Sequence, residues 1–131
     1  MSITDILGAG SAMRRWIRLA CKVSRKGIHR EHLLGAVVIQ GGNVISTAAN
    51  MSRPYGLDNC GFHAEKRALR GRKDFKGAVI IVVRMNTRGK LSGMSRPCPK
   101  CMKVIREKKI KKIIYVNDNR EICIEKVQYS L

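Results

Sequence analysis

Aromatic side chains are scarce in this sequence: one Trp, three Tyr and two Phe make up 5% of its 131 residues. Rings that stack on bases supply much of the affinity for single-stranded nucleic acid, and few are to spare here. Acidic residues are scarce as well, 9 against 27 Lys and Arg, which leaves a formal net charge of +18. Such an excess favours anionic partners, nucleic acid or phosphorylated small molecules, and the bland reading is a basic solvated surface. No apolar run reaches the roughly 20 residues of a membrane-spanning helix, so no membrane partner is expected. The opening "MSITDILGAGSAMRRW" lacks the basic-then-apolar layout of a secretory signal. The cysteines are odd in number (Cys21, Cys60, Cys98, Cys101 and Cys123), which argues against a disulfide framework. These absences together place the chain in the cytoplasm or another intracellular reducing compartment.

What is present reads as globular: 44% hydrophobic and 27% charged residues, enough for one domain over residues 1–131 with a single packed core. Ser11 suits a helix N-cap. After it Met13, Trp16, Ile17, Ala20, Cys21 and Ser24 recur at helical spacing as an inward stripe, with Arg14, Arg18, Lys22 and Arg25 facing out and Gly27 at the end. "LLGAVVIQ" (Leu33 to Gln40) is a near-continuous apolar run, as in a strand covered on both faces. Gly41-Gly42 marks a tight turn into "NVISTAA", so the pair reads as a hairpin. "SRPYGLDN" is a loop, "FHAEKRALR" a helix ended by Gly71, and "AVIIVVRM" (Ala78 to Met85) a buried strand. "NTRGKLSGMSRP" reads as a polar loop and "CPKCMKVIREKK" as a helix with prolines at its start. "KIIYVN" and "EICIEKV" are the last strands. The few residues between Asn117 and Glu121 cannot hold the crossover that parallel strands need, so these two should pair antiparallel. The expected fold is α/β, a mixed five-stranded sheet with helices packed on its faces. Cys21 and Cys123 sit among apolar residues and read as small core side chains.

Two segments carry chemistry. Cys98-Pro-Lys-Cys101 opens a helix, where both sulfurs fall on one side of the first turn and the positive helix end favours thiolate. His63 can add a nitrogen. Three protein ligands around zinc leave a fourth tetrahedral position for water, the arrangement of a catalytic site. Glu65 lies two residues beyond His63, a rotation of about 200° along a helix. It need not ligate, and can stand beside the activated water and move protons. Other readings stay open: a redox-active Cys-x-x-Cys, a surface histidine, or a closed structural site made by Cys60, His63, Cys98 and Cys101.

"HAE" at His63 to Glu65 and "PCPKC" at Pro97 to Cys101 give this chain the pattern of the zinc-dependent cytidine and deoxycytidylate deaminase superfamily, which it resembles in layout from about Leu33 to Val127. The resemblance implies a three-layer α/β/α fold, a Zn2+ cofactor held by His63, Cys98 and Cys101, and hydrolysis of an exocyclic amine to a keto group and ammonia with Glu65 shuttling protons. It also implies that Asn50 contacts the sugar, that the Ala64 N–H meets the base carbonyl, and that Pro97 presents backbone that reads the base. Tyr55 and Phe62 flank the motif and could touch the base. The hairpin ending resembles free cytidine deaminases and toxin-like deaminases, although free cytidine deaminases usually carry Cys where His63 stands.

The substrate expected is cytosine in single-stranded DNA or RNA. Basic clusters after both motifs support a polymer, since each neutralised phosphate adds affinity without sequence information; the shortage of aromatics counts against it. A free cytidine, deoxycytidine or monophosphate substrate is the alternative, adenine a weaker one. A nucleic-acid-binding protein with structural zinc is the alternative of a different class. Assembly into an oligomer stays open.

Overall fold

The computed structural model describes residues 11–27, 33–50, 63–71, 75–86, 88–91 and 93–127. Helix α1 (Ser11–Ser24) is followed by strands β1 (Leu33–Gln40) and β2 (Asn43–Ala49), then α2 (Ala64–Ala68), β3 (Val79–Met85), α3 (Pro99–Glu107), β4 (Lys112–Val116) and β5 (Ile122–Lys126). The strands form one sheet in the order β2-β1-β3-β4-β5. β1 is antiparallel to both β2 and β3, β3 and β4 run parallel, and β4 and β5 are antiparallel, as the short connection between them requires.

The central strands are apolar along most of their length because both of their faces are covered. In β3, Ile80 and Val82 face one layer, where they pack with Ala64 and Ala68 of α2 and Met102 and Ile105 of α3. Ile81 and Val83 face the other, against Ile17, Ala20 and Val23 of α1. This is the three-layer α/β/α arrangement. The C-terminal end of α2 is fastened to the edge strand β2 at two points: the Ser46 hydroxyl donates to the Ala68 carbonyl, and the Arg67 guanidinium to the Ala49 carbonyl.

The turns follow from their residues. Gly41 and Gly42 have φ of +58° and +80°, the pair of positive angles a two-residue type I′ hairpin demands. The β4–β5 turn is held by Asn117, whose Oδ1 accepts from the backbone N–H of Asn119 at 2.9 Å and of Glu121 at 3.0 Å. No helix of the described residues is long and apolar enough to cross a membrane.

Gly35 fixes the distance between α1 and the sheet. A Cβ there would lie 2.1 Å from the Ala20 carbonyl oxygen and 2.8 Å from the Ser24 nitrogen. Both obstacles are backbone, so relief means moving the helix. Gly35→Ala should therefore cost about 3 kcal/mol, the upper end of ordinary overpacking, read as a lowered urea midpoint at unchanged slope.

Three details differ from expectation. Val23 is buried although it lies off the predicted stripe, because α1 is covered on a wider arc; Met13, Trp16 and Cys21 are only half-buried. Burial pushes the Cys21 thiol up to about 11, so it behaves as the packing thiol expected. Cys123, in contrast, is no core residue: β5 is an edge strand with neither face fully covered, and Cys123 stays half-exposed. The helix expected over 62–70 is regular only from Ala64 to Ala68. Leu69 caps it, and Gly71 follows in the left-handed region at φ +82°.

Candidate metal centre and active site

Two helix starts build the site. His63 is the N-cap of α2 and Cys98 that of α3, both with extended backbone (φ −70°, ψ 148° and φ −68°, ψ 165°). Neither side chain caps its own helix. They turn to each other instead: His63 Nδ1 lies 3.7 Å from Cys98 Sγ and 3.4 Å from Cys101 Sγ. Cys101, fully buried, reaches the same spot because it stands three residues after Cys98, on the same side of the first turn. Pro99 opens α3 without loss, since its missing N–H falls where a helix has no internal acceptor.

The donor atoms of His63, Cys98 and Cys101 all lie within 4.8 Å of one another. Whether they fit zinc can be tested from bond lengths. Zn–S near 2.3 Å and Zn–N near 2.05 Å at a tetrahedral angle put sulfur and nitrogen about 3.6 Å apart. The two S···N distances, 3.4 and 3.7 Å, bracket that value. One imidazole nitrogen and two sulfurs are also the softer donors that zinc takes, and the set fits Zn2+. None of the described cysteines is in a disulfide. Cys60, the fourth donor of the closed alternative, lies outside the described residues.

Glu65 is the second residue of α2 and is only 3% exposed. Its Oε1 meets no hydrogen-bond partner among the described residues. Burial pushes its carboxyl from 4.5 up to about 7, opposed only by a backbone hydrogen bond. A carboxyl placed in the interior with one oxygen unsatisfied is costly, and such groups mark places where a protein keeps polar chemistry for use.

The other expected residues fall as follows. Asn50 is buried just past the end of β2. Its backbone N–H donates to the Leu34 carbonyl at 3.1 Å and its Oδ1 accepts from the Leu34 N–H at 2.8 Å, which extends the β1–β2 ladder and locks the side chain in place. Ala64, fully buried, is the first residue of α2, between His63 and Glu65. Pro97 is buried immediately before Cys98. Tyr55 and Phe62 lie outside the described residues.

Sequence reasoning missed Ser95. Direct pairing of β3 with β4 ends at Val82 and Tyr115. Ser95 continues it: its hydroxyl lies 2.8 Å from the Val82 carbonyl, to which it donates, and accepts from the Val116 N–H at 2.8 Å, while its own N–H donates to the Val116 carbonyl at 2.9 Å. The metal loop is thereby fixed to the middle of β3 and to the carboxyl end of its parallel neighbour β4. Ser95→Ala should cost about 1–3 kcal/mol, because it strands buried backbone groups, and a melting midpoint equal to the parent's would show that they find another partner. One residue on, Arg96 makes a two-pronged contact with Glu125 of β5, both bonds 2.9 Å, and these hydrogen bonds, aided by its charge, hold that carboxyl below the usual range.

Residues 11–117 match the family described as the cytidine and deoxycytidylate deaminase zinc-binding region. No curated protein matches the chain by sequence. Among solved structures, cytidine deaminase from Burkholderia pseudomallei is similar with a TM-score of 0.63 at 22% identity, covering 86% of this chain and 91% of that one. The dCMP deaminase of cyanophage S-TIM5 gives 0.58 at 22% identity, over 83% and 86%. A structure from work on A-to-I editing by tRNA:A34 deaminases gives 0.57 at 21%, over 82% and 78%. At such identities the likeness is one of fold. The family match, however, takes in both halves of the motif, and their donor atoms stand at zinc distances: the chain belongs to the cytidine and deoxycytidylate deaminase zinc-binding family.

Proposed function

We propose that this hydrolytic deaminase converts cytosine to uracil and acts by preference on single-stranded nucleic acid. The observation that carries the chemistry is the juxtaposition, at the start of α2, of a three-donor centre with a buried carboxyl whose Oε1 has no hydrogen-bond partner among the described residues. His63 Nδ1, Cys98 Sγ and Cys101 Sγ would hold the zinc, which when bound activates water near neutral pH. Glu65 takes one proton from the water and gives it to the ring nitrogen, then takes the second from the hydroxyl added to the ring carbon and gives it to the departing amine. Water oxygen thus replaces the exocyclic nitrogen, which leaves as ammonia. The interior position of Glu65 keeps bulk water from competing for these protons.

The positions of these elements support a placement for the substrate. Ala64 opens α2, where the first backbone N–H groups have no helical acceptor, and its N–H would meet the base carbonyl. Asn50, oriented by its bond to Leu34, would address the sugar. Pro97 would back the backbone that faces the base, and Tyr55 would touch it. Cys60 is assigned no ligand role, which leaves one zinc position for water.

The preference for a polymer is supported by the net charge of +18. The second reading, a free nucleoside or monophosphate, is supported by the fold likeness to proteins described as cytidine and dCMP deaminases. A panel of deoxycytidine, dCMP and single-stranded DNA and RNA oligonucleotides, assayed for ammonia and for base identity, separates them. The oligonucleotide should give the highest kcat/KM, falling steeply with salt. Equal rates on deoxycytidine would overturn the polymer preference, and no ammonia from any of them would overturn cytosine deamination.

A further inference from the structure

Charge is not spread evenly across the sheet. Of the described carboxylates, Asp118, Glu121 and Glu125 belong to the β4–β5 edge, Glu107 ends α3, and Glu65 is interior. The opposite edge, at β2, has a cleft of about 390 Å³ whose lining includes Lys26 from the turn after α1, Thr47 of β2, and Arg67 and Arg70 from α2 and the turn after it. No carboxylate lines it among the described residues. Three cations from two segments of the chain therefore converge with no carboxylate of the described residues in the lining, an arrangement that raises the local potential and draws in anions.

Two features make this more than a basic surface. The Arg67 guanidinium is fixed by donation to the Ala49 carbonyl, so less side-chain freedom is lost on binding. The cleft also adjoins the site on both of its walls. The Arg67 N–H donates to the His63 carbonyl at 3.0 Å, which places Arg67 one turn, about 6 Å along the axis, from the metal-binding histidine. On the strand side, Ala49 precedes Asn50. The volume is that of a small-ligand pocket, room for a phosphate with its sugar.

We propose that this cleft binds a phosphate of the substrate, a backbone phosphodiester next to the target nucleotide. The source of the phosphate rests on the polymer reading given above; the cleft's affinity for phosphate does not. The test is fluorescence anisotropy of a labelled single-stranded 15-nucleotide DNA containing one cytosine, and calorimetric binding of dCMP, each with the parent, Lys26→Glu/Arg70→Glu, Thr47→Glu and the far-edge control Lys126→Glu. Thr47→Glu adds an acid to the cleft while leaving every cation in place, and circular dichroism checks that each variant is folded.

The double reversal and Thr47→Glu should each weaken oligonucleotide binding at least about 10-fold. The double reversal should also make the salt dependence shallower, by about 0.7 for each phosphate it no longer neutralises, while Lys126→Glu changes affinity less than about 2-fold. Loss for the oligonucleotide with dCMP unaffected assigns the cleft to the backbone. An equal loss for dCMP assigns it to a mononucleotide's own phosphate. Oligonucleotide and dCMP affinities in both cleft variants no weaker than in the control would overturn the proposal. Because these readings need no turnover, they stand apart from failure of the deaminase assay, which would appear as absent ammonia from the parent.

Discussion

Glu65→Gln should lower kcat on the preferred cytosine substrate by about 10²–10⁴ while the purified protein keeps its zinc, measured by ammonia release alongside atomic absorption. The carboxyl can both accept and return a proton, and the amide fills the same space without doing either. His63, Cys98 and Cys101 are untouched, so a zinc-poor variant would mean that Glu65 is itself a ligand and the proton-transfer role is wrong. Unchanged turnover would remove it from the mechanism altogether. Stability should move the other way. The folded-state carboxyl is raised from 4.5 to about 7 by burial, so folding favours its neutral form. That contribution is complete below pH 4.5 and is lost as pH rises through 7, a span worth about 3 kcal/mol at 1.36 kcal/mol per unit. In protein stripped of metal, since a bound cation would itself favour the carboxylate, Glu65→Gln should melt above the parent at pH 8 and level with it at pH 4. A stabilising change that abolishes activity is the pattern of a residue placed for chemistry at a cost to the fold.

The site's donors were readable because zinc restricts ligand type and spacing so strongly. "HAE" and "PCPKC" name their own chemistry, and the apolar runs at 33–40 and 78–85 mark strands covered on both faces. The last hairpin was readable from chain length alone, since nothing between Asn117 and Glu121 could form a crossover. Less visible was anything decided by contact between distant segments. Ser95 sits in a stretch whose composition says only that it is polar, and no local pattern tells which serine of "LSGMSRP" bridges two strands. Asn50 could be placed at a strand end, but the bond from its Oδ1 to Leu34 depends on a partner 16 residues away. Cys123 misled because apolar neighbours look alike on a central and on an edge strand; only sheet order separates them. The basic clusters were evident, yet nothing local singles out Lys26 with Arg67 and Arg70, since Lys26 lies about 40 residues before the other two.

Cys101→Ser should strip the protein of zinc without unfolding it. Hydroxyl in place of thiolate weakens a tetrahedral nitrogen–sulfur site, and the loss in affinity should exceed the roughly 10–100-fold that accompanies loss of mere outer-shell partners. After dialysis, metal content should fall from about one zinc per chain to near zero, with deaminase activity falling in parallel. The fold should persist because its two apolar clusters are built on the sheet and owe little to the cluster of donors: one rests on Ile80, Val82, Ile105 and Ile113, the other on Ile17, Val37, Ile81 and Val83. What the metal adds is a clamp between the starts of α2 and α3, so the melting temperature should drop while far-ultraviolet dichroism stays native-like. Cys60→Ser is the matching control. With only three protein ligands it keeps its zinc; in a closed four-ligand site it loses the metal as Cys101→Ser does, no position remains for water, and the catalytic reading falls in favour of a structural one.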